Sequence, residues 1–330
     1  MSVYDISGNS LAEKYKSRYD GKTLSILGDS ISTYAGYIPS GNANYYTGSN
    51  CGVSSVNDTW WMKLMTALGM TLNLNNSWSG SRVTTTNGSE SAGCMTRCQN
   101  LGTAPDVIIV YMGINDFNNE VGLGTYDGNG SFPTSTTTFR ESYAIMLDKI
   151  MTAYPTSEIW CATLQACEKN GATGAPEKNG NNVLLDDFNK AIRNLAQVFG
   201  AKILEHAQCG LTYENMSIYM GDYESVGNTG LHPNADGHTL IANNDIRQLT
   251  YEVSNESSGE VNIPWTDVTG TLTAGATSIT LSSASITTNS TIEVFTSADV
   301  DYNSVSVSNG SVTITFDAQS SNMGVKVRVS

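Results

Sequence analysis

The chain has 330 residues, with 17 Lys and Arg against 31 Asp and Glu, a formal net charge of −14. That balance argues against a nucleic acid or an anionic membrane surface as partner, since both require a basic face. The longest apolar runs, such as Asp106–Met112, are too short to span a bilayer, and six cysteines in this length are too sparse for a disulfide scaffold.

Taken in chain order, residues 1–20 form a polar N-terminal extension. It lacks the apolar stretch of a secretory signal, so the chain is expected either to stay in the cytoplasm or to leave by another route, such as lysis or assembly into a particle. From 21 to 254, short apolar strands alternate with amphipathic helices. "TLSILGD" (Thr23–Asp29) reads as a buried parallel strand. "DTWWMKLMTALGM" puts Trp61, Leu64, Met65 and Leu68 on one helical face, with Asp58 placed to cap it. "MTLNLNNSWSGSRV" is a strand running towards Gly80, and "DVIIVYMG" is a further buried strand. "TFRESYAIMLDKIMTAYP" opens on a capping-box pattern, Thr138 and Glu141. The strand "SEIWCATL", the helix "LLDDFNKAIRNLAQVFG" stopped by Gly200, the strand "AKILEH" and a last helix, "ADGHTLIANNDIRQLTYEV", complete the alternation. This order predicts a mostly parallel sheet with helices on both faces.

Residues 255–265 read as a polar linker. Over 266–330 the apolar period becomes two, as in Val312, Ile314 and Phe316 or Val325, Val327 and Val329, and Asn309-Gly310 marks a hairpin. A small antiparallel β domain is expected there. It carries no catalytic-looking cluster, so its expected role is attachment, assembly or binding.

Ligands of open parallel sheets bind beyond the carboxyl ends of the strands. The turns there hold Ser30 in "GDSIS", Gly80 in "NNSWSGS", and Asn115 in "GIND"; "HPNADGH" adds His232 further on. Each has an ordinary alternative: Ser30 as a helix N-cap, Gly80 as a tight turn, Asn115 as a turn residue. His238 reads as a packing or surface residue and His206 as structural, Asp29 as a turn and hydrogen-bonding residue, and Asp116 as one that orders the loop behind Asn115. No cysteine pair has zinc-ligand spacing beside histidines, so no metal site is expected and buried free thiols are the plainer reading.

The four blocks in this order resemble the SGNH, or GDSL, hydrolase family, over roughly Thr23–Val253. The resemblance implies a flavodoxin-like three-layer α/β/α sandwich and ester hydrolysis through an acyl-serine, without a cofactor. It assigns Ser30 as nucleophile and His232 as base, with an oxyanion hole of the Ser30 and Gly80 N–H groups and the Asn115 side chain. The family's usual acid, three residues before the histidine, is replaced here by Thr229. Three readings follow. His232 is held by Thr229 or a backbone carbonyl, as a Ser–His dyad; or an acid from elsewhere serves, with Asp222, Glu224 and Asp236 nearest in sequence; or the site has decayed and the fold is kept for binding.

For the substrate, Trp78 and Arg82 flank Gly80, and the Tyr-rich "YAGYIPSGNANYY" follows the nucleophile. The loop reads either as packing or as a polar–aromatic rim suited to sugars, and Arg82 either as a surface residue or as a contact to an acidic group. No long apolar lid is evident, which favours short acyl groups, acetyl above all, on a glycan. The C-terminal stretch also resembles the small β modules of bacteriophage tail and receptor-binding proteins. That implies a virion-associated esterase acting at the bacterial surface, with self-assembly or virion assembly through the β module. The rivals are a non-catalytic glycan-binding or structural receptor-binding protein and, more distantly, a lipase or thioesterase.

Overall fold

A computed structural model describes residues 18–168, 176, 178–223, 230–256, 266–288, 290, 292–297, 300 and 302–329. Thr229 and Glu224, two of the groups proposed to orient His232, lie outside these residues, as do 257–265 of the stretch read as a linker, whereas 255 and 256 belong to the preceding helix. The chain divides into two units, Met1–Val253 and Ser254–Ser330.

The first unit is built on five parallel strands: β1 (Thr23–Gly28), β2 (Thr71–Asn75), β3 (Val107–Tyr111), β4 (Glu158–Ala162) and β5 (Lys202–Leu204). Their spatial order is β2-β1-β3-β4-β5. The all-apolar run of β3 is buried at every position, as expected of a strand covered on both faces, whereas the edge strand β2 is partly exposed. The connecting helices are α1 (Trp60–Leu68), α2 (Ile114–Asn118), α3 (Phe139–Ala153), α4 (Leu185–Phe199), α5 (Met216–Tyr219) and α6 (Ala235–Glu256). This is the α/β architecture expected from the alternation, and its strand order is the flavodoxin-like one. In that order the chain steps outward from β1 to β2 and returns to β3 on the other side. The switch point therefore lies beyond the carboxyl ends of β1 and β3.

Three local expectations are corrected. Thr59, not Asp58, caps α1, its hydroxyl accepting from Met62 N at 3.4 Å. Asp58 instead closes the preceding turn by accepting from the Ser54 and Ser55 amides. At α3, the Thr138 hydroxyl donates to the Glu141 carboxylate at 2.6 Å rather than accepting a backbone N–H. Glu141 spends its remaining capacity on the Thr125 and Tyr126 amides of the incoming loop. The second strand stops at Asn75, where the Asn75 and Asn76 amides donate to the carbonyls of Ser32 and Arg97 in neighbouring turns and the Ser77 hydroxyl donates back to Asn75 Oδ1. Gly80 thus sits in a turn well past the strand.

The second unit has two antiparallel three-stranded sheets. One has the order β7-β10-β9, from β7 (Ser278–Ser282), β9 (Ser304–Ser308) and β10 (Ser311–Thr315). The other has the order β6-β11-β8, from β6 (Thr266–Leu272), β8 (Ile292–Thr296) and β11 (Met323–Val329). Ser308 pairs with Ser311 across the Asn309-Gly310 turn.

Candidate active site

The site is assembled at the switch point. β1 ends in Gly28, and Asp29 begins a single 3₁₀ turn over Ser30–Ser32 by accepting from Ile31 N at 3.1 Å. The turn holds Ser30 at the sheet mouth, buried to 2% exposure. Its hydroxyl lies 2.8 Å from His232 Nε2, and His232 Nδ1 lies 2.7 Å from Asp222 Oδ2.

The route by which Asp222 reaches the histidine lies in the backbone. Met220 and Pro233 form an antiparallel bridge; Gly221 N donates to His232 O at 2.8 Å and Asn234 N to Tyr219 O at 2.8 Å. The other carboxylate oxygen, Asp222 Oδ1, accepts from the Leu231 and His232 amides, both at 3.0 Å. A carboxylate that also receives two backbone donors is fixed in place. With Nδ1–H given to Asp222, Nε2 is the nitrogen left to take a proton from Ser30. The dyad reading with a threonine or carbonyl partner is displaced, since Nδ1 has a carboxylate. Asp236 is exposed in the first turn of α6, where its amide N–H donates to Asn234 Oδ1, and makes no contact with His232.

Gly80, Asn115 and Asp116 stand in the segments that follow β2 and β3. Gly80 has φ +76°, a left-handed conformation that costs glycine nothing, and a Cβ there would point into open space. The requirement is therefore conformational rather than steric. Among the described residues, neither the Ser30 nor the Gly80 amide donates to a backbone acceptor. Asn115 Nδ2 donates to Ser81 O at 3.0 Å, which ties the end of β3 to the residue after Gly80. Asp116 is fully buried and accepts from Val83 N, Thr84 N and Thr84 Oγ1, so it orders the segment that follows Gly80.

One residue passed over in the sequence holds these turns together. Arg97, 4% exposed, donates through Nε to Ser91 O, through Nη1 to Gly28 O and Asn76 O, and through Nη2 to Ser81 Oγ and Met112 Sδ. All five guanidinium donors are used, and they reach the ends of β1 and β2, the Gly80 turn and the residue after β3. Burial lowers its pKa to about 10, which leaves it charged at neutral pH. Burial raises the Asp29 carboxyl to about 7, opposed by the Ile31 N–H and by Arg97, and raises Asp116 to about 6 against its own hydrogen bonds.

The other two histidines are interior. His206 Nε2 pairs with Asp245 at 2.8 Å, both fully buried. His238 accepts from Trp60 N at 3.3 Å, and burial lowers its pKa to about 3, so it is neutral. The Tyr-rich loop divides. Tyr45 and Tyr46 pack around His232, whereas Tyr37 stays 41% exposed against Trp61. Trp78 and Arg82 are partly exposed beside Gly80; Arg82 donates to Thr86 and leaves its Nε without a protein partner. Among the described residues no group of three or more His, Cys, Asp or Glu could hold a metal ion, no helix is long and apolar enough to cross a membrane, and no two cysteines form a disulfide.

The family model of GDSL-like lipase/acylhydrolases matches residues 22–197, more than half of the chain. The chain belongs to this family. The match includes Ser30, Gly80 and Asn115 and ends before Asp222 and His232. No curated protein matches the chain. Among solved structures, one assigned by name to the GDSL-like lipases, from Bacteroides ovatus, is 26% identical, with a TM-score of 0.54, covering 71% of this chain and 99% of its own. Another so assigned, from Bacteroides uniformis, is 25% identical with a TM-score of 0.51, covering 70% and 96%. A protein from Lactobacillus plantarum shares the fold at 22% identity and a TM-score of 0.51, covering 73% and 98%. The family match makes the chain a GDSL-like lipase/acylhydrolase, with a separate antiparallel β region at its C-terminal end.

Proposed function

We propose that this GDSL-like hydrolase is a serine esterase that removes short acyl groups, acetyl above all, from carbohydrate. The observation that carries the reading is the hydrogen-bonded series Ser30–His232–Asp222, at 2.8 and 2.7 Å, at the switch point of the sheet. In the mechanism His232 Nε2 takes the Ser30 proton as Oγ attacks the ester carbonyl. Asp222 holds the tautomer and stabilises the imidazolium. The oxyanion is received by the Ser30 and Gly80 amides and by Asn115 Nδ2. His232 then protonates the departing sugar oxygen, and water attacks the acyl-serine with His232 again as base.

Support for a polar substrate comes from the rim. Trp78 and Tyr37 offer partly exposed aromatic surface, and Arg82, two residues after Gly80, is partly exposed as well. In this reading the C-terminal β unit attaches or assembles the enzyme, as in the phage modules it resembles. The non-catalytic rival drew on the missing acid, and Asp222 beside His232 removes that ground.

The test is hydrolysis of p-nitrophenyl esters from acetyl to long-chain acyl, and of acetylated polysaccharides, beside Ser30→Ala. Acetyl release that Ser30→Ala abolishes supports the proposal. Faster cleavage of long-chain esters would replace it with a lipase, and no turnover above the variant would return the weight to a binding protein.

A further inference from the structure

Tyr45 has no part in that mechanism, yet its ring lies flat on the imidazole of His232, with centroids 3.5 Å apart and planes within 11°. Two neutral aromatic rings avoid such a face-to-face sandwich because their quadrupoles repel; they prefer offset or edge-to-face pairs. The neighbouring pairs follow that preference. Tyr45 meets Tyr46 at 85°, and Tyr46 meets His238 at 65°. A cationic ring over the same π face is attracted instead. The stack therefore turns from a disfavoured pair into a favoured one at the moment His232 takes the Ser30 proton. A contact that is stronger in the charged state than in the resting state is the kind that lowers a barrier.

The surroundings hold the ring in that place. The Tyr45 hydroxyl and the Cys51 thiol are 3.0 Å apart, and Asn50 Nδ2 donates to Tyr45 O at 2.9 Å. Tyr45 N donates to Thr33 Oγ1 at 3.0 Å, and that hydroxyl donates to Ser30 O at 2.9 Å. Cys51 adopts φ +53°, a conformation that L-residues rarely take. Gly221 passes so close that a Cβ on it would lie 2.5 Å from Cys51 Cα. The contacts close a circuit from Cys51 through Tyr45, His232, Asp222 and Gly221 back to Cys51. The titratable groups about the imidazole are Asp222 on Nδ1, Tyr45 on its face, Tyr46 at its edge, and Cys51 and His238 beyond them. Burial pushes the Tyr45 hydroxyl above the usual phenol range and the Cys51 thiol upward, so both stay neutral where a histidine base works.

The geometry points to Tyr45 as a positioning residue whose π face fixes the plane of His232 and stabilises the imidazolium formed during proton transfer. This rests on the esterase reading of Ser30 and His232. The experiment compares the full-length parent with Tyr45→Leu and Tyr45→Phe by kcat and KM on p-nitrophenyl acetate, per active site titrated. In parallel, proton NMR follows the downfield resonance of the His232 Nδ1–H, assigned by its loss in Asp222→Ala. Tyr45→Leu is expected to lower kcat by roughly five- to thirtyfold with little change in KM, and to broaden or abolish the resonance. Tyr45→Phe, which keeps the π face, recovers most of both. A purely structural role would lower the titratable fraction and leave kcat per site alone. Retention of kcat and of the resonance in Tyr45→Leu overturns the inference, and so does a Phe variant as impaired as the Leu one. If the parent shows no Ser30-dependent turnover, the esterase reading falls. The resonance then decides Tyr45 by itself: loss in Leu with recovery in Phe supports its hold on the ring, and persistence in Leu overturns it.

Discussion

Inside the α/β unit an arginine, several aspartates, two histidines and several asparagines are buried, whereas among the described residues the buried core of the β unit consists of Leu, Ile, Val, Phe and Met alone. Its polar residues face outward, where hydroxyl pairs such as Ser304–Thr315 and Thr280–Thr313 join adjacent strands. Burying a polar group costs free energy unless its hydrogen bonds are remade. The β unit avoids that cost and needs only the right apolar volume. The α/β unit accepts it, and in exchange Asp29, Arg97 and Asp116 define where each turn of the site stands. The polar interior belongs to the unit that carries Ser30, Asp222 and His232.

That contrast can be broken by experiment. The largest effect is expected at the serine and histidine: Ser30→Ala and His232→Ala each lower kcat by on the order of 10⁴-fold or more, and the double variant is little worse, because the two act as one unit. Full additivity in a kinetic cycle would show that they do not. Asp222→Asn keeps the size of the side chain but not the charge; a loss of about 10⁴ in kcat is expected, and near-parental activity would mean that the 2.7 Å contact is not used. If Asn115 is the oxyanion donor proposed, Asn115→Ala is expected to lower kcat by about 10²–10³, read against an unchanged circular dichroism spectrum.

In the β unit, Ile314→Ala opens a cavity among apolar neighbours. It is expected to destabilise that unit by about 2–5 kcal/mol while kcat stays at the parental value. A matching fall in activity would refute the division of labour. The smallest effect concerns pH. Because Asp29 titrates at about 7 in the fold, the folded state binds more protons than the unfolded one between the usual carboxylate range and that value. Its contribution therefore destabilises increasingly as pH rises through that window. Asp29→Asn, which keeps an oxygen for the Ile31 amide, is expected to flatten that fall in urea midpoints between pH 5 and 8; an unchanged slope would assign the effect elsewhere.

The sheet was readable because its strands are short, largely apolar segments separated by helical patterns: Val107–Tyr111, apolar throughout, could be little else. The serine, glycine, asparagine and histidine blocks were readable for a related reason, since each directly follows a strand or stands in a distinctive local string. Asp222 was one of three acids named, and sequence distance could not choose among them. The choice is made by the bridge between Met220 and Pro233, a pairing too short to leave a pattern. Arg97 left no signal at all. A lone arginine reads as a surface residue, and its five acceptors come from residues 28 to 112, which only the finished sheet brings together. Tyr45 was visible as part of a tyrosine-rich loop, but nothing in that string separates the ring on the histidine from the exposed Tyr37.

Arg97 has a consequence for how such an enzyme can change over generations. By clamping the turns after β1, β2 and β3 to one guanidinium, it makes the reacting frame a single part that tolerates little alteration. Trp78, Arg82 and Tyr37 contribute no side-chain hydrogen bond to that clamp among the described residues. Selection can therefore alter Trp78, Arg82 and Tyr37 while the clamp beneath is inherited intact.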